Sequence, residues 1–329
     1  MVKWFCFAVC VAQCYGCPGA FIDTSPSCSN NLNVNVNTQT SSLTDTGLSA
    51  HDLALKVATF WTNGKCPTGT ADSANTCSQG KCDSTSLRTE SYYSEQLVTV
   101  SGAQYRQVVT NNMPHHCSQI GATITSSYSQ CEHFYALLLP VSPTKTTTYT
   151  SYGIGAIGIA RSGAAIFSPQ ISAETCDAAA VSEADYFDSC TGHTDVDCVY
   201  HYHKPPVCIQ DYNNCGLIGY ARDGFQIRGP CTVTLADSTS VTMTSNYVQN
   251  GAKSGCGTSH YTYDAGNGGN LDEANGYQFA QDVSAANGAI QFASGDYVYF
   301  MTDAYPYTIP GYFGSTVSSI CEFTISDLS

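Results

Sequence analysis

Cys190-Thr-Gly-His193-Thr-Asp-Val-Asp-Cys198-Val-Tyr200-His201-Tyr202-His203, running on to Gly219-Tyr-Ala-Arg-Asp223-Gly-Phe-Gln-Ile-Arg-Gly-Pro230, gathers histidines, cysteines and glycine turn signals into one short region. Brief aromatic and β-branched runs cut by Gly, Asp and Pro are the pattern of short strands joined by tight turns. In an extended Tyr200–His203 the side chains alternate, so His201 and His203 share one face and Tyr200 and Tyr202 the other. Two neutral imidazoles pointing the same way, with His193 nearby as a third nitrogen donor, can hold zinc or copper. The spacing matches no established zinc signature, and the alternative is a pair of half-buried histidines bonded to backbone.

Outward from this stretch the same grammar continues. Gln96-Leu-Val-Thr-Val-Ser, Tyr105-Arg-Gln-Val-Val-Thr, Ala122-Thr-Ile-Thr, Phe134-Tyr-Ala-Leu-Leu-Leu-Pro, Gly155-Ala-Ile-Gly-Ile-Ala, Thr232-Val-Thr-Leu and Asp296-Tyr-Val-Tyr-Phe-Met each read as a strand bounded by Gly, Ser, Asn or Pro. The expected fold is mainly β, a disulfide-rich β-sandwich or barrel-like domain with one or two short helices. Ser49 to Trp61 carries a capping box at Ser49 and Asp52 and an apolar stripe of Leu53, Val57, Phe60 and Trp61. A second helix is expected within Asp177 to Tyr186, and no internal repeat is read.

Composition narrows the class. Of 329 residues only 12% are charged, against roughly 25% in typical soluble domains. Twelve basic against 26 acidic residues give a net charge of −14, which excludes a phosphate-binding basic patch and so a nucleic-acid partner. Eighteen cysteines point to an oxidising compartment. Lys3 followed by Trp4-Phe-Cys-Phe-Ala-Val-Cys-Val-Ala12 reads as a secretory leader too short to span a bilayer. Its removal, taken here as residues 1–19, leaves Cys28, Cys66, Cys77, Cys82, Cys117, Cys131, Cys176, Cys190, Cys198, Cys208, Cys215, Cys231, Cys256 and Cys321. This even set is read as disulfides, with connectivity open.

Residues 20–90 form a segment of their own. Within it Leu32-Asn-Val-Asn-Val-Asn-Thr-Gln-Thr40 alternates without a break, with Leu32, Val34, Val36 and Thr38 on one face. A strand close behind the mature N-terminus can complete the sheet of a neighbouring copy, and head-to-tail donation of this kind grows into a filament. The alternative is an ordinary first strand of its own domain.

Gly-His, Tyr-His-Tyr-His and Gly-Tyr-Ala-x-Asp-Gly-Phe-x-Ile-x-Gly, in that order, resemble the YHYH-domain proteins. Thr110-Asn-Asn-Met-Pro114-His115-His116, Ala160–Pro169, Leu271-Asp-Glu-Ala-Asn-Gly276, Tyr297–Tyr307 and Gly311-Tyr-Phe-Gly314 resemble further elements of that family. The resemblance covers roughly residues 90–320, implies secretion and a β domain over 91–329, and assigns no reaction. Departures accompany it. Ala274 and Tyr312 stand where the family usually has cysteines, as one lost disulfide would leave them, and Arg228 stands where a Tyr is usual.

No Gly-x-Ser-x-Gly elbow, His-Glu-x-x-His or phosphate loop is present. Asp272-Glu273 and Asp223 read as turn residues, which leaves an enzyme open without naming a substrate. Ser142 to Tyr152, with its Thr146-Thr-Thr-Tyr-Thr-Ser run, offers hydroxyls for O-linked glycans or an exposed loop. Two functional readings follow. The first, taken here, is a secreted, disulfide-stabilised structural protein, a subunit of an extracellular fibre, coat or matrix whose partner is itself. The second is an extracellular metal-binding protein or metal-dependent enzyme built on His193, His201 and His203, with His116 or Asp223 completing the shell.

Overall fold

The structure, a computed structural model, describes residues 42–44, 93–100, 103–110, 112–114, 116, 134–170, 184–188, 190–195, 199–209, 211–249, 261–315 and 321–323. The alternating segment at Leu32–Thr40, the helix expected at Ser49–Trp61 and the strand expected at Ala122–Thr125 lie outside them. Of the second expected helix, Ala184–Tyr186 is described, as one 3-10 turn. The fold is mainly β. Among the described residues its strands form five sheets, and none closes into a barrel. No described helix is long and apolar enough to cross a membrane.

Eight strands make the central sheet, in the order Gly276–Gln278, Tyr297–Phe300, Gln226–Arg228, Leu217–Ala221, Ala156–Ala160, Ala165–Phe167, Tyr200–Tyr202 and Gly192–Thr194. A five-stranded sheet containing Tyr93–Val100, Ala103–Thr110 and Phe134–Pro140 packs beside it. Glu95 joins the two, accepting from Tyr93 Oη at 3.1 Å and Tyr220 Oη at 2.9 Å and pairing with Arg106.

The central sheet is a duplication, contrary to the expectation of no repeat. Gly155-Ala-Ile-Gly-Ile-Ala-Arg-Ser-Gly-Ala-Ala-Ile-Phe-Ser-Pro169 matches Gly216-Leu-Ile-Gly-Tyr-Ala-Arg-Asp-Gly-Phe-Gln-Ile-Arg-Gly-Pro230 at both outer positions and at Ile157/Ile218, Gly158/Gly219, Ala160/Ala221, Arg161/Arg222, Gly163/Gly224 and Ile166/Ile227. Each segment is a hairpin with the same irregularity, Ala156 opposite Phe167 and Gly158 opposite Ile166 in one, Leu217 opposite Arg228 and Gly219 opposite Ile227 in the other. The hairpins meet antiparallel about an approximate twofold, Gly219 against Ala160 and Ala221 against Gly158. Small residues are required there, because a Cβ on Gly219 would lie 1.9 Å from Ile159 O.

The outer strands repeat too. Ile166 pairs in parallel with Tyr202 as Ile227 does with Tyr299, and His193 lies opposite His201 as Tyr277 lies opposite Val298. Each outer pair starts from the same loop. Asp188 Oδ1 accepts from Cys190 N and Gly192 N and its Oδ2 from Tyr200 Oη; Asp272 does the same for Ala274 N, Gly276 N and Tyr297 Oη. The repeat has no fixed period because the second copy carries inserted strands, Thr232–Thr234, Ser240–Thr242, Val283–Ala285 and Gln291–Phe292 in one small sheet and Tyr247–Gln249 with Tyr261–Tyr263 in another.

Two disulfides brace this region, Cys190–Cys208 and Cys215–Cys231. With partners 18 and 16 positions apart in sequence, each stabilises by about 3 kcal/mol in the chain-entropy account. Ala274 is the counterpart of Cys190, and it is fully buried in the same apolar cluster as Tyr312. The two positions where the resemblance implies cysteines are thus filled by packed side chains, with Tyr312 Oη donating to Ile157 O at 2.8 Å. The Thr146 run is a strand, Lys145–Ser151, paired with Gly311–Gly314, rather than a loop; Thr147, Thr148, Thr150 and Ser151 remain exposed.

Candidate metal centre

The strand Tyr200–Tyr202 places its side chains as alternation requires. His193 reaches the same face from the neighbouring strand because it is the cross-strand partner of His201. His193, His201 and His203 are 4%, 2% and 2% exposed, and their ligand nitrogens lie within 4.8 Å of one another. His201 Nε2 and His203 Nε2 are 2.9 Å apart.

The opposite ring nitrogens are fixed by backbone. His201 Nδ1 donates to Val199 O at 2.9 Å and His203 Nδ1 donates to Ser168 O at 2.7 Å, since a carbonyl can only accept. Metal-ligating histidines are oriented in this way, the second ring nitrogen held by a carbonyl or carboxylate. Phe167 stacks on His201 with centroids 3.8 Å apart and planes inclined by 14°, and Phe187 stands edge-on to His193 at 4.9 Å. Burial, followed by the neighbouring His193 and His203, pushes His201 well below the ordinary imidazole range, so it is held neutral.

His116 and Asp223 do not join this trio. His116 lies across the strand, its Nε2 sharing a 2.5 Å hydrogen bond with Tyr202 Oη, which also bonds Ser162 Oγ at 3.0 Å. His116 does approach Cys190 and Cys208, but their sulfurs are spent in a disulfide and cannot act as thiolate ligands. Asp223 belongs to the other half of the sheet, where it accepts from Tyr299 Oη at 2.6 Å and Gly314 N at 3.0 Å. Sequence reasoning missed the parts that orient the rings: the carbonyls of Val199 and Ser168 and the Phe167 and Phe187 walls. Ser168 and Phe167 lie in the Ala160–Pro169 segment, and only its place in the family pattern drew attention to it.

Of the fourteen cysteines read as disulfides, four are seen paired. Cys321 is described only as part of a strand; Cys28, Cys66, Cys77, Cys82, Cys117, Cys131, Cys176, Cys198 and Cys256 lie outside the described residues.

A family model described as YHYH protein matches residues 136–314, more than half of the chain and the whole of the duplicated sheet. No curated protein and no solved structure matches the chain.

Proposed function

The chain belongs to the YHYH protein family, and on that premise we propose that it is an extracellular, disulfide-braced β protein that binds one transition-metal ion through His193, His201 and His203. The observation that carries this reading is the facing pair of imidazole nitrogens. With both Nδ1 atoms donating to carbonyls, both Nε2 atoms turn lone pairs toward each other at 2.9 Å. Two acceptors at that distance repel unless a cation lies between them, and neutral imidazole nitrogen is a donor that zinc and copper take.

The duplicated sheet supplies an internal comparison. The counterparts of His193, His201 and His203 are Tyr277, Val298 and Phe300. The same strand pairing there carries the half-buried Tyr277 and the buried Val298 and Phe300, so it does not depend on imidazoles at these positions. Neutral imidazole nitrogens suit both zinc and copper. The leader read at residues 1–19 and the two disulfides seen support an extracellular setting.

Elemental analysis of the secreted protein after loading with copper or zinc salt and desalting tests the reading. One ion per chain is expected, lost when His201 and His203 are replaced, and a wild-type chain that retains no stoichiometric metal overturns it.

A further inference from the structure

The second half of the sheet differs from the first in one more respect. Where the first copy has Ala165, Phe167 and Thr194, the second has Gln226, Arg228 and Gln278. These three line a cleft of about 560 Å³ between the central sheet and the loop at Val141–Lys145. That size falls in the range of small-molecule sites. Arg106 and Lys145 also line it, the other described cations being Arg161, Lys204 and Arg222. Three of the six described cations thus line one hollow in a chain of net charge −14.

Donors remain available in it. Of the five N–H groups of a guanidinium, Arg228 commits Nε and Nη2 to Gln226 Oε1 and Nη1 to Cys215 O, all neutral acceptors. Arg106 commits one to Glu95 while its guanidinium lies over the Tyr220 ring. Lys145 sits over the Phe313 ring at 4.0 Å and 3.9 Å from Asp272 Oδ2. Gln278 and Gln291 are exposed at the rim, with only long contacts to backbone of 3.4 and 3.5 Å. Asp296 is the one acidic residue among the lining groups.

We propose that this cleft binds a carboxylate-bearing oligosaccharide, its carboxylate on the Arg228 and Lys145 cations and its hydroxyls on the glutamine amides. The N–H groups left on Nη1 and Nη2 of Arg228 can meet a carboxylate, while the amide side chains of Gln278 and Gln291 both donate to and accept from hydroxyls. The inference is independent of the metal centre, which lies at the opposite edge of the same sheet.

Isothermal titration of the secreted full-length chain with tri-galacturonate, with the neutral trigalactose of the same linkage and with monomeric galacturonate tests it. The charged trimer is expected to bind at least about tenfold more tightly than either of the others, the effect of one charge-assisted hydrogen bond. Arg228→Lys, which keeps the charge and drops the fork, is expected to lose about tenfold, and so is the rim double variant Gln278→Ala/Gln291→Ala, whose sites are exposed enough to leave folding intact. Equal affinity for the charged and neutral trimers, a monomer that binds as tightly as the trimer, no binding of tri-galacturonate, or unchanged affinity in the rim variant would each overturn the proposal.

Discussion

Tyr299 Oη donates to Asp223 Oδ2 at 2.6 Å, and the same two positions in the other half of the sheet are Tyr202 and Ser162, bonded at 3.0 Å. The duplication thus preserves a buried hydroxyl contact while exchanging its chemistry. A neutral hydroxyl faces Tyr202, and an ionisable carboxyl faces Tyr299.

That exchange makes the second half sensitive to pH. Burial pushes the Asp223 carboxyl up to about 6 and outweighs the bonds from Tyr299, Phe225 N and Gly314 N that pull it down. A folded-state value above the unfolded one means the folded protein takes up the proton more readily, so this contribution to stability is complete below about pH 3.8 and is lost as pH rises through 6. Relative to pH 8, Asp223 is expected to contribute about 1.4 kcal/mol at pH 5 and to approach about 3 kcal/mol below pH 4. Urea unfolding of wild type and Asp223→Asn across pH 4–8 checks this. The stability difference between them should shift toward wild type on acidification, and a constant difference would exclude the effect.

Gly192 and Gly276 are predicted to be intolerant of any side chain. A Cβ would lie 2.2 Å from Tyr200 Oη at the first and 2.1 Å from Tyr297 Oη at the second, and both hydroxyls are tied to the loop aspartates. Gly192→Ala or Gly276→Ala should cost about 2–4 kcal/mol, combining overpacking with a disrupted buried hydrogen bond. Gly153→Ala, where a Cβ would meet nothing within 4 Å, is the control and should unfold as wild type does in thermal denaturation.

The strands and the shared face of His201 and His203 were legible because alternation and turn residues are local signals. The duplication was not. Gly158 to Gly219, His193 to Tyr277 and Tyr200 to Tyr297 are three different separations, and the matched register appears only once the strands are paired. Asp223 read as a turn residue, which its bond to Phe225 N bears out, but its burial against Tyr299 and Gly314 depends on residues far along the chain. His116 was assigned to the metal shell because histidines attract one another in a sequence reading. The fold instead places it on the tyrosine face, against Tyr202. The Thr146 run looked like a loop because it lacks apolar alternation, yet its backbone pairs with Gly311–Gly314.

Assembly through the N-terminal alternating segment stays a separate expectation. If Leu32, Val34, Val36 and Thr38 fill a groove on a neighbouring copy, replacing Val34 and Val36 with Asp should abolish it, because a charge on the buried face of a donated strand is desolvated without a partner. Negative-stain electron microscopy of secreted wild type should show filaments that the double variant lacks. Monomeric wild type at every concentration would remove the expectation.

The strongest test of the metal centre comes from the molecule's own second half. Replacing His193 with Tyr, His201 with Val and His203 with Phe gives the first half the residues of its counterpart, the half-buried Tyr277 and the buried Val298 and Phe300. Volume is roughly conserved, apart from the smaller Val, but Val199 O and Ser168 O lose the Nδ1 donors of His201 and His203, so the metal-free variant should melt several degrees below metal-free wild type, a fixed offset. The two proteins should then part on addition of metal. Wild type held at a free copper concentration about 100-fold above its Kd should gain about 2.7 kcal/mol, because the ion binds the folded state alone, and the variant should gain nothing. Equal responses would place the bound metal elsewhere. A wild type with no response at all would mean that the facing nitrogens of His201 and His203 are held together by packing and not by an ion.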